Sequence, residues 1–416
     1  MAASIADLPY WEVEFNQDGS IVSDGGLVAD SAGGGVRDLF LFSHGWNNSF
    51  AGARSLYRDM FSMIAGMLPA ERRAATGFVG VLWPSLLFPE DGPADGGGPP
   101  PVRSSGAQLA TALAPAFPGQ EQQVRTLGAL LDARPQDGAA LEEFHALATG
   151  LVTTAETGGP EDNGERFAVE ASPRTAISDM AGTPGAPDGD AQGIDFFGKM
   201  WHGARELLRT MSYYEMKNRA GVIGQQGLGP LLSKLQGQNG QLRTHLLGHS
   251  FGARLVAFSL AGLPASATRR SSPVKSLLLI QGAFSHFAFS PSKPGALARL
   301  ADRVDGPLVA THSVHDRAVG LWYPNASRLA RQDSQGLDDF NYNWGGMGHD
   351  GYQHDGVVAL ALGAAGSGYD WENGRFYRLD SSAVIRKSLS AFSEAHSDIS
   401  HPEVAWAAVS AAGLGL

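Results

Sequence analysis

The sequence predicts an α/β fold built on a doubly wound, mostly parallel sheet, with a helical and loop region inserted into it. Three observations carry this reading. Unbroken apolar runs such as Asp38 to Ser43, Leu-Phe-Leu-Phe between two polar ends, suit strands covered on both faces. Between such runs the apolar residues recur at helical spacing, as in Ala53, Leu56, Tyr57, Met60, Ile64 and Met67. The 54 glycines and 23 prolines are roughly half as many again as average usage, and many fall between 85 and 195.

In chain order, Trp11 to Phe15 alternates apolar and polar residues and runs into Asp18-Gly19, a half-buried strand followed by a hairpin signal. The buried strand 38–43 leads to a helix over Ser49 to Leu68 and a second buried strand, Phe78 to Trp83, that stops at Pro84. Strand, helix and strand with short connections form a βαβ unit. Residues 1–84 are therefore the first part of the core. Within 85–195, Gly96-Gly97-Gly98-Pro99-Pro100-Pro101 excludes helix and central strand. Helical patterns at Gln120 to Leu131 and Ala139 to Leu151 precede a Gly-, Pro- and Asp-rich stretch, Thr153 to Gly193, read as loop. This segment is expected to be an insertion, part lid-like helices and part mobile loop.

The second part of the core spans 196–416. Helical spacing runs through Trp201, Leu207, Met211 and Tyr214, then through Leu228, Leu231 and Leu235. Strands are expected at Arg243 to Leu247, Val274 to Ile280, Pro307 to Ser313 and Arg375 to Leu379, with helices at Ala253 to Ala261, Ala296 to Val304 and Pro402 to Ala412. At least five buried strands alternating with helices imply the doubly wound sheet.

Composition narrows the function. A hydrophobic fraction of 43% with 18% charged residues excludes a wholly disordered chain and a coiled coil. The net charge of −11, with six lysines among 31 basic residues, argues against nucleic acid as a partner. No apolar stretch reaches membrane-spanning length and the N-terminus lacks a signal-peptide pattern, so a cytoplasmic protein without an integral membrane segment is expected. Zero cysteines leave no disulfide, thiolate metal site or thiol nucleophile.

The strongest motif is Gly248-His249-Ser250-Phe251-Gly252, between an apolar strand and a helix opening Ala253-Arg254-Leu255. A serine hydroxyl that must project above a sheet needs a tight strand-to-helix turn, and small residues two positions either side let the backbone pass. The helix N-terminus also aims donors and positive dipole at developing negative charge. An earlier strand ends in Ser43-His44-Gly45-Trp46-Asn47.

These two motifs resemble the α/β-hydrolase superfamily, in its serine esterase and lipase-like branch. The resemblance covers roughly 35–85 and 196–410 and is silent on 85–195. It implies a nucleophile at Ser250, an oxyanion hole made by the backbone N–H groups of Trp46 and Phe251, and substrate contacts around His44, Gly45 and His249. The superfamily order of serine, acid and histidine then falls on Asp316, in the loop after the 307–313 strand, and His396, in the loop after the last strand. Asp338 and Asp339 compete for the acid, and His401 for the base, although His401-Pro402-Glu403 reads as a helix start.

Other histidines read differently. His349-Asp350 and His354-Asp355 are expected in a structural or rim-lining loop rather than a metal site, and His245 as a satisfied core residue. The expectation is a serine hydrolase that cleaves a small-molecule carboxylic ester through an acyl-enzyme, needing no metal or cofactor. Amide or thioester cleavage uses the same groups, and a non-catalytic hydrolase-fold binding protein is the rival from another class. The nucleophile disfavours haloalkane and epoxide chemistry, for which the superfamily usually employs aspartate.

Overall fold

The computed structural model describes residues 3–86, 88, 103–153, 169–181, 196–293, 295–316, 345–387 and 395–415. Ten strands form one sheet: β1 (Ala3–Ile5), β2 (Leu8–Phe15), β3 (Ile21–Ser23), β4 (Asp38–Ser43), β5 (Thr76–Leu82), β6 (Arg243–His249), β7 (Val274–Ile280), β8 (Leu308–His312), β9 (Val358–Ala361) and β10 (Phe376–Asp380). Their order is β1-β2-β5-β4-β6-β7-β8-β10-β9, with β3 paired to β2. Every pairing from β2 through β9 along this path is parallel; β1 and β3 pair with β2 antiparallel.

Both faces of the sheet are covered, and the period of two along each strand assigns side chains to them. Leu39, Leu41, Val79, Leu246, Leu277 and Leu279 join one core with the helices Phe196–Val222, Gly229–Gln238 and Phe251–Ser259. Phe40, Phe42, Phe78, Leu247, Leu278 and Ile280 join the other with the helices Phe50–Met67 and Pro402–Ala411. Apolar runs with no polar alternation are the sequence image of a sheet with two interiors.

Several expectations need correction. The turn Ala6-Asp7 has positive φ at both residues (48° and 65°) and creates the β1–β2 hairpin, although neither residue is the glycine or asparagine that normally marks such a turn. Ala296 to Val304 forms turns and a 3₁₀ segment at Ala301–Arg303 in place of a helix. The two helical patterns after Phe196 are one continuous rod, joined by a π-helical segment at Ile223–Leu228. Gly224 there faces the Leu255 carbonyl, which a Cβ would meet at 2.2 Å. Strand β9 was not foreseen.

In the inserted region, helices lie at Gly106–Leu113, Glu121–Ala133, Gly138–Thr149 and Pro173–Met180. The last falls inside the stretch read as loop, where Ser172 caps the Thr175 N–H and Pro173 starts the helix. Leu109, Leu127, Phe144 and Ile177 bury into the same core as Leu207 and Met211 of the long helix. The run Gly96 to Pro101 lies outside the described residues. Among the described residues, no helix is long and apolar enough to cross a membrane.

Candidate active site

The chain leaves β4 through the Phe50–Met67 helix on one face of the sheet to reach β5, and leaves β6 through the Phe251–Ser259 helix on the opposite face to reach β7. Strands β4 and β6 are neighbours, so their C-terminal loops diverge and open a crevice at the point where strand order reverses. In open α/β sheets that crevice is where ligands bind. His44-Gly45-Trp46 and His249-Ser250-Phe251 stand on its two sides.

Ser250 has φ 57° and ψ −122°. This is the conformation of the first central residue of a type II′ turn, a glycine position that costs another residue about 1–3 kcal/mol. Its surroundings hold it there. The Ser250 N–H donates to the Ile280 carbonyl at 3.1 Å, and the Ser250 carbonyl accepts from the N–H of Ala253 (3.1 Å) and Ala283 (3.2 Å). The two motif glycines allow the crossing: a Cβ at Gly248 would sit 2.3 Å from the Gly252 carbonyl oxygen, and one at Gly252 would sit 2.1 Å from that of Ser43. Phe251 is the first residue of its helix, so its N–H has no partner within the helix.

The facing loop is equally constrained. A Cβ at Gly45 would lie 2.6 Å from Ser250 Cβ and 3.2 Å from its Oγ, so only glycine lets the loop run this close to the serine. The His44 N–H donates to the Tyr57 hydroxyl (3.0 Å), and Trp83 Nε1–H donates to the His44 carbonyl (3.1 Å). The His44 ring is fully buried, stacks on Trp83 and donates from Nδ1 to the Gly45 carbonyl at 2.8 Å; burial lowers its pKa to about 4. Its place is thus beneath the loop. Trp46 packs edge-on against Tyr213 of the long helix, and Phe251 lies 4.8 Å from the same Tyr213 ring.

Asp316 and His396 meet directly. His396 Nδ1 lies 2.8 Å from Asp316 Oδ2, and Asp316 is fully buried. With Nδ1–H donated to the carboxylate, Nε2 is the ring's basic nitrogen. The His396 ring is 5.0 Å from that of His249, the residue before Ser250, which sets the pair beside the elbow. Ser250 Oγ itself makes no hydrogen bond to the described residues.

Secondary contacts fix these groups. His249 Nε2–H donates to the His396 carbonyl at 2.9 Å, and burial, then the nearby His396, depress the His249 pKa to about 3. Asp398 accepts from the backbone N–H groups of Arg386 and Lys387 and bonds His401 Nε2. Burial raises the Asp398 pKa, but these donors outweigh it and the net shift is downward. His401 is the N-cap residue of the last helix. A pocket of about 240 Å³ lies beside His249, lined also by Asn48, Leu56, Asp59 and Asp398.

Of the expected residues, the structure therefore brings together Ser250, Phe251, Gly45, Trp46, His249, Asp316 and His396, and buries His44 below them. Asp338 and Asp339 lie outside the described residues. His245 bonds Ser276 and Asp38 inside the core, and His349-Asp350 ends a short helix where Asp350 pairs with His286 at 3.0 Å. Asp398 carries no site signal in the sequence because a lone Asp has no spacing pattern, and Tyr57, which bonds the His44 N–H, reads there only as a core position of its helix. No protein-family model, curated protein or solved structure matches the chain.

Proposed function

We propose that this chain is a serine hydrolase of the α/β-hydrolase type that cleaves carboxylic esters. The observation that carries the reading is Ser250. A serine is held in a strained glycine conformation at the strand-to-helix turn of the crevice, beside a buried imidazole–carboxylate pair drawn from 66 and 146 residues downstream. Backbone strain of this kind persists only where the surroundings over-determine it, and it clusters at functional sites.

In the proposed reaction, His396 Nε2 takes the Ser250 hydroxyl proton as Oγ attacks the ester carbonyl. The oxyanion accepts from the N–H groups of Trp46 and Phe251, the latter reinforced by its helix N-terminus. His396 then returns the proton to the departing alcohol oxygen, leaving an acyl group on Ser250. Water attacks that carbonyl with the same base, releasing acid and free serine. Asp316 holds the imidazole tautomer and offsets its charge when protonated. The inserted helices act as a lid that shapes the acyl pocket, because they pack on the long helix whose Tyr213 touches Trp46 and Phe251.

The test is turnover of p-nitrophenyl esters with chains of about two to sixteen carbons, together with fluorophosphonate labelling mapped by peptide mass. Labelling at Ser250 with ester turnover is the expected result, and the chain-length profile sizes the acyl pocket. No turnover and no labelled serine would overturn the proposal and favour a binding protein.

A further inference from the structure

Gln281 follows the last residue of β7, is fully buried, and has a left-handed backbone, φ 46°. Three of the four hydrogen-bonding positions of its amide are filled. Nε2 donates to Asp316 Oδ2 at 2.9 Å and to the Gly348 carbonyl at 2.8 Å, while Oε1 accepts from the Thr311 hydroxyl at 2.9 Å. The orientation of the amide is chemically forced. Turned over, it would set its oxygen against a carboxylate and a carbonyl, which can only accept.

Asp316 Oδ2 therefore receives two hydrogen bonds, one from His396 Nδ1 and one from Gln281, whereas Asp316 Oδ1 has no partner among the described residues. The amide and the imidazole compete for the same oxygen. The carboxylate is also enclosed from the far side, since a Cβ at Gly348 would lie 2.6 Å from Oδ2. Gly348 is tied down in turn by the Ser313 N–H to its carbonyl (3.0 Å) and its own N–H to the Gly282 carbonyl (2.9 Å).

We propose that Gln281 is a positioning residue that fixes the rotamer of Asp316 and so holds Oδ2 in line with His396 Nδ1, setting the tautomer and orientation of the imidazole. A neutral donor does this without a cation that would compete with the imidazole for the carboxylate. The inference rests on the hydrolase reading for its kinetic consequence, but not for its effect on His396. The ionisable groups facing the pair are His249, ring to ring with His396; His349, whose Nδ1–H donates to the Asp316 carbonyl at 3.1 Å; Asp350, 4.0 Å from His349 Nε2; and Asp398, two residues beyond His396. None of them bonds Oδ2.

The test uses the full chain with ¹⁵N-labelled histidine, His396 being assigned by its loss in His396→Ala. Ring correlation spectra give the His396 tautomer without substrate, for wild type, Gln281→Met and Gln281→Leu. Removing the donor at near-constant volume is expected to free the Asp316 rotamer, so that the Nδ1–H tautomer of wild type gives way to a mixture of both tautomers. With it kcat should fall about tenfold while KM stays within about twofold. Gln281→Leu also lacks the donor and carries the test alone should Gln281→Met not fold. An unchanged tautomer in the folded variants, with only a lower melting temperature, would overturn the proposal. Absence of ester turnover and of Ser250 labelling in wild type would instead remove the hydrolase reading, while the tautomers still decide the role of Gln281.

Discussion

The sheet carries two serine–histidine–aspartate groups, one at each end of β6. At the amino end, Ser276 Oγ lies 2.9 Å from His245 Nδ1, and His245 Nε2 lies 3.1 Å from Asp38 Oδ1. At the carboxyl end stand Ser250, His396 and Asp316. By hydrogen bonding alone the amino-end group is the more complete, because its serine already bonds its imidazole. It is nonetheless sealed: His245 is fully buried and Ser276 and Asp38 are each 3% exposed. Ser276 lies in β7 opposite His245, just past a register shift in the β6–β7 pairing, and its backbone has no positive φ. What it does is pin β4, β6 and β7 together, with Arg243 also reaching Asp38 at 3.4 Å. The comparison teaches that a residue trio by itself does not make the proposed site. The carboxyl end differs in its turn, its backbone donors and the crevice opened by diverging loops.

The sharpest way to break this comparison is to delete each serine. Ser250→Ala and His396→Ala should each lower ester kcat/KM by about 10⁴-fold or more. Ser276→Ala should leave turnover within about twofold while lowering unfolding free energy by about 1–3 kcal/mol, since a buried imidazole nitrogen loses its donor. Activity lost through Ser276 would reverse the assignment. Next in size is Gly45→Ala, whose Cβ would press on Ser250 and displace the Trp46 N–H. A loss of about 10²–10³ in kcat is expected, with a lower melting temperature from a clash that costs about 1–3 kcal/mol.

The two ends share one liability, buried neutral imidazole. Burial holds the pKa of His44 at about 4 and that of His249 at about 3, and lowers that of His245. Unfolded, each would titrate near 6.5, so below that pH the unfolded chain takes up protons that the folded one refuses. Stability is thus full above about pH 6.5 and falls as pH drops, by up to about 1.4 kcal/mol per pH unit for each histidine. Urea unfolding between about pH 5 and 8 measures the slope. A flat profile would mean that these imidazoles are charged or solvated.

The smallest effect is the most discriminating about strain. Ser250→Gly should stabilise the fold by about 1 kcal/mol, since glycine accepts φ 57° freely and the gain exceeds its extra unfolded-state entropy. Ser276→Gly, in unstrained strand, should destabilise it by a similar or larger amount. Thermal unfolding of the two glycine variants reads both signs in one experiment.

Much of this arrangement is legible before folding. The run 38–43 and the run 274–280 are strands to the residue, because an apolar stretch without alternation has few other ways to hide both its faces. The elbow is legible because its glycines are required by contact: neither 248 nor 252 has room for a Cβ. The Ala6-Asp7 hairpin was not legible because neither residue marks a turn, and the start signal Ser172-Pro173 of the Pro173–Met180 helix is offset by the Gly- and Pro-rich composition around it.

What the sequence determined by itself is the alternation of strand and helix, and the tight glycine-flanked turn at Ser250, because both follow from periodicity and from steric demands within a few residues. Which histidine and which aspartate lie near that turn was an expectation from the superfamily's chain order alone. Their meeting at 2.8 Å, the sealing of an equivalent trio at the other end of β6, and the amide of Gln281 on the same carboxylate oxygen come from strand order and loop divergence. Those are long-range packing outcomes, fixed by two apolar cores closing over one sheet, and no local spacing encodes them.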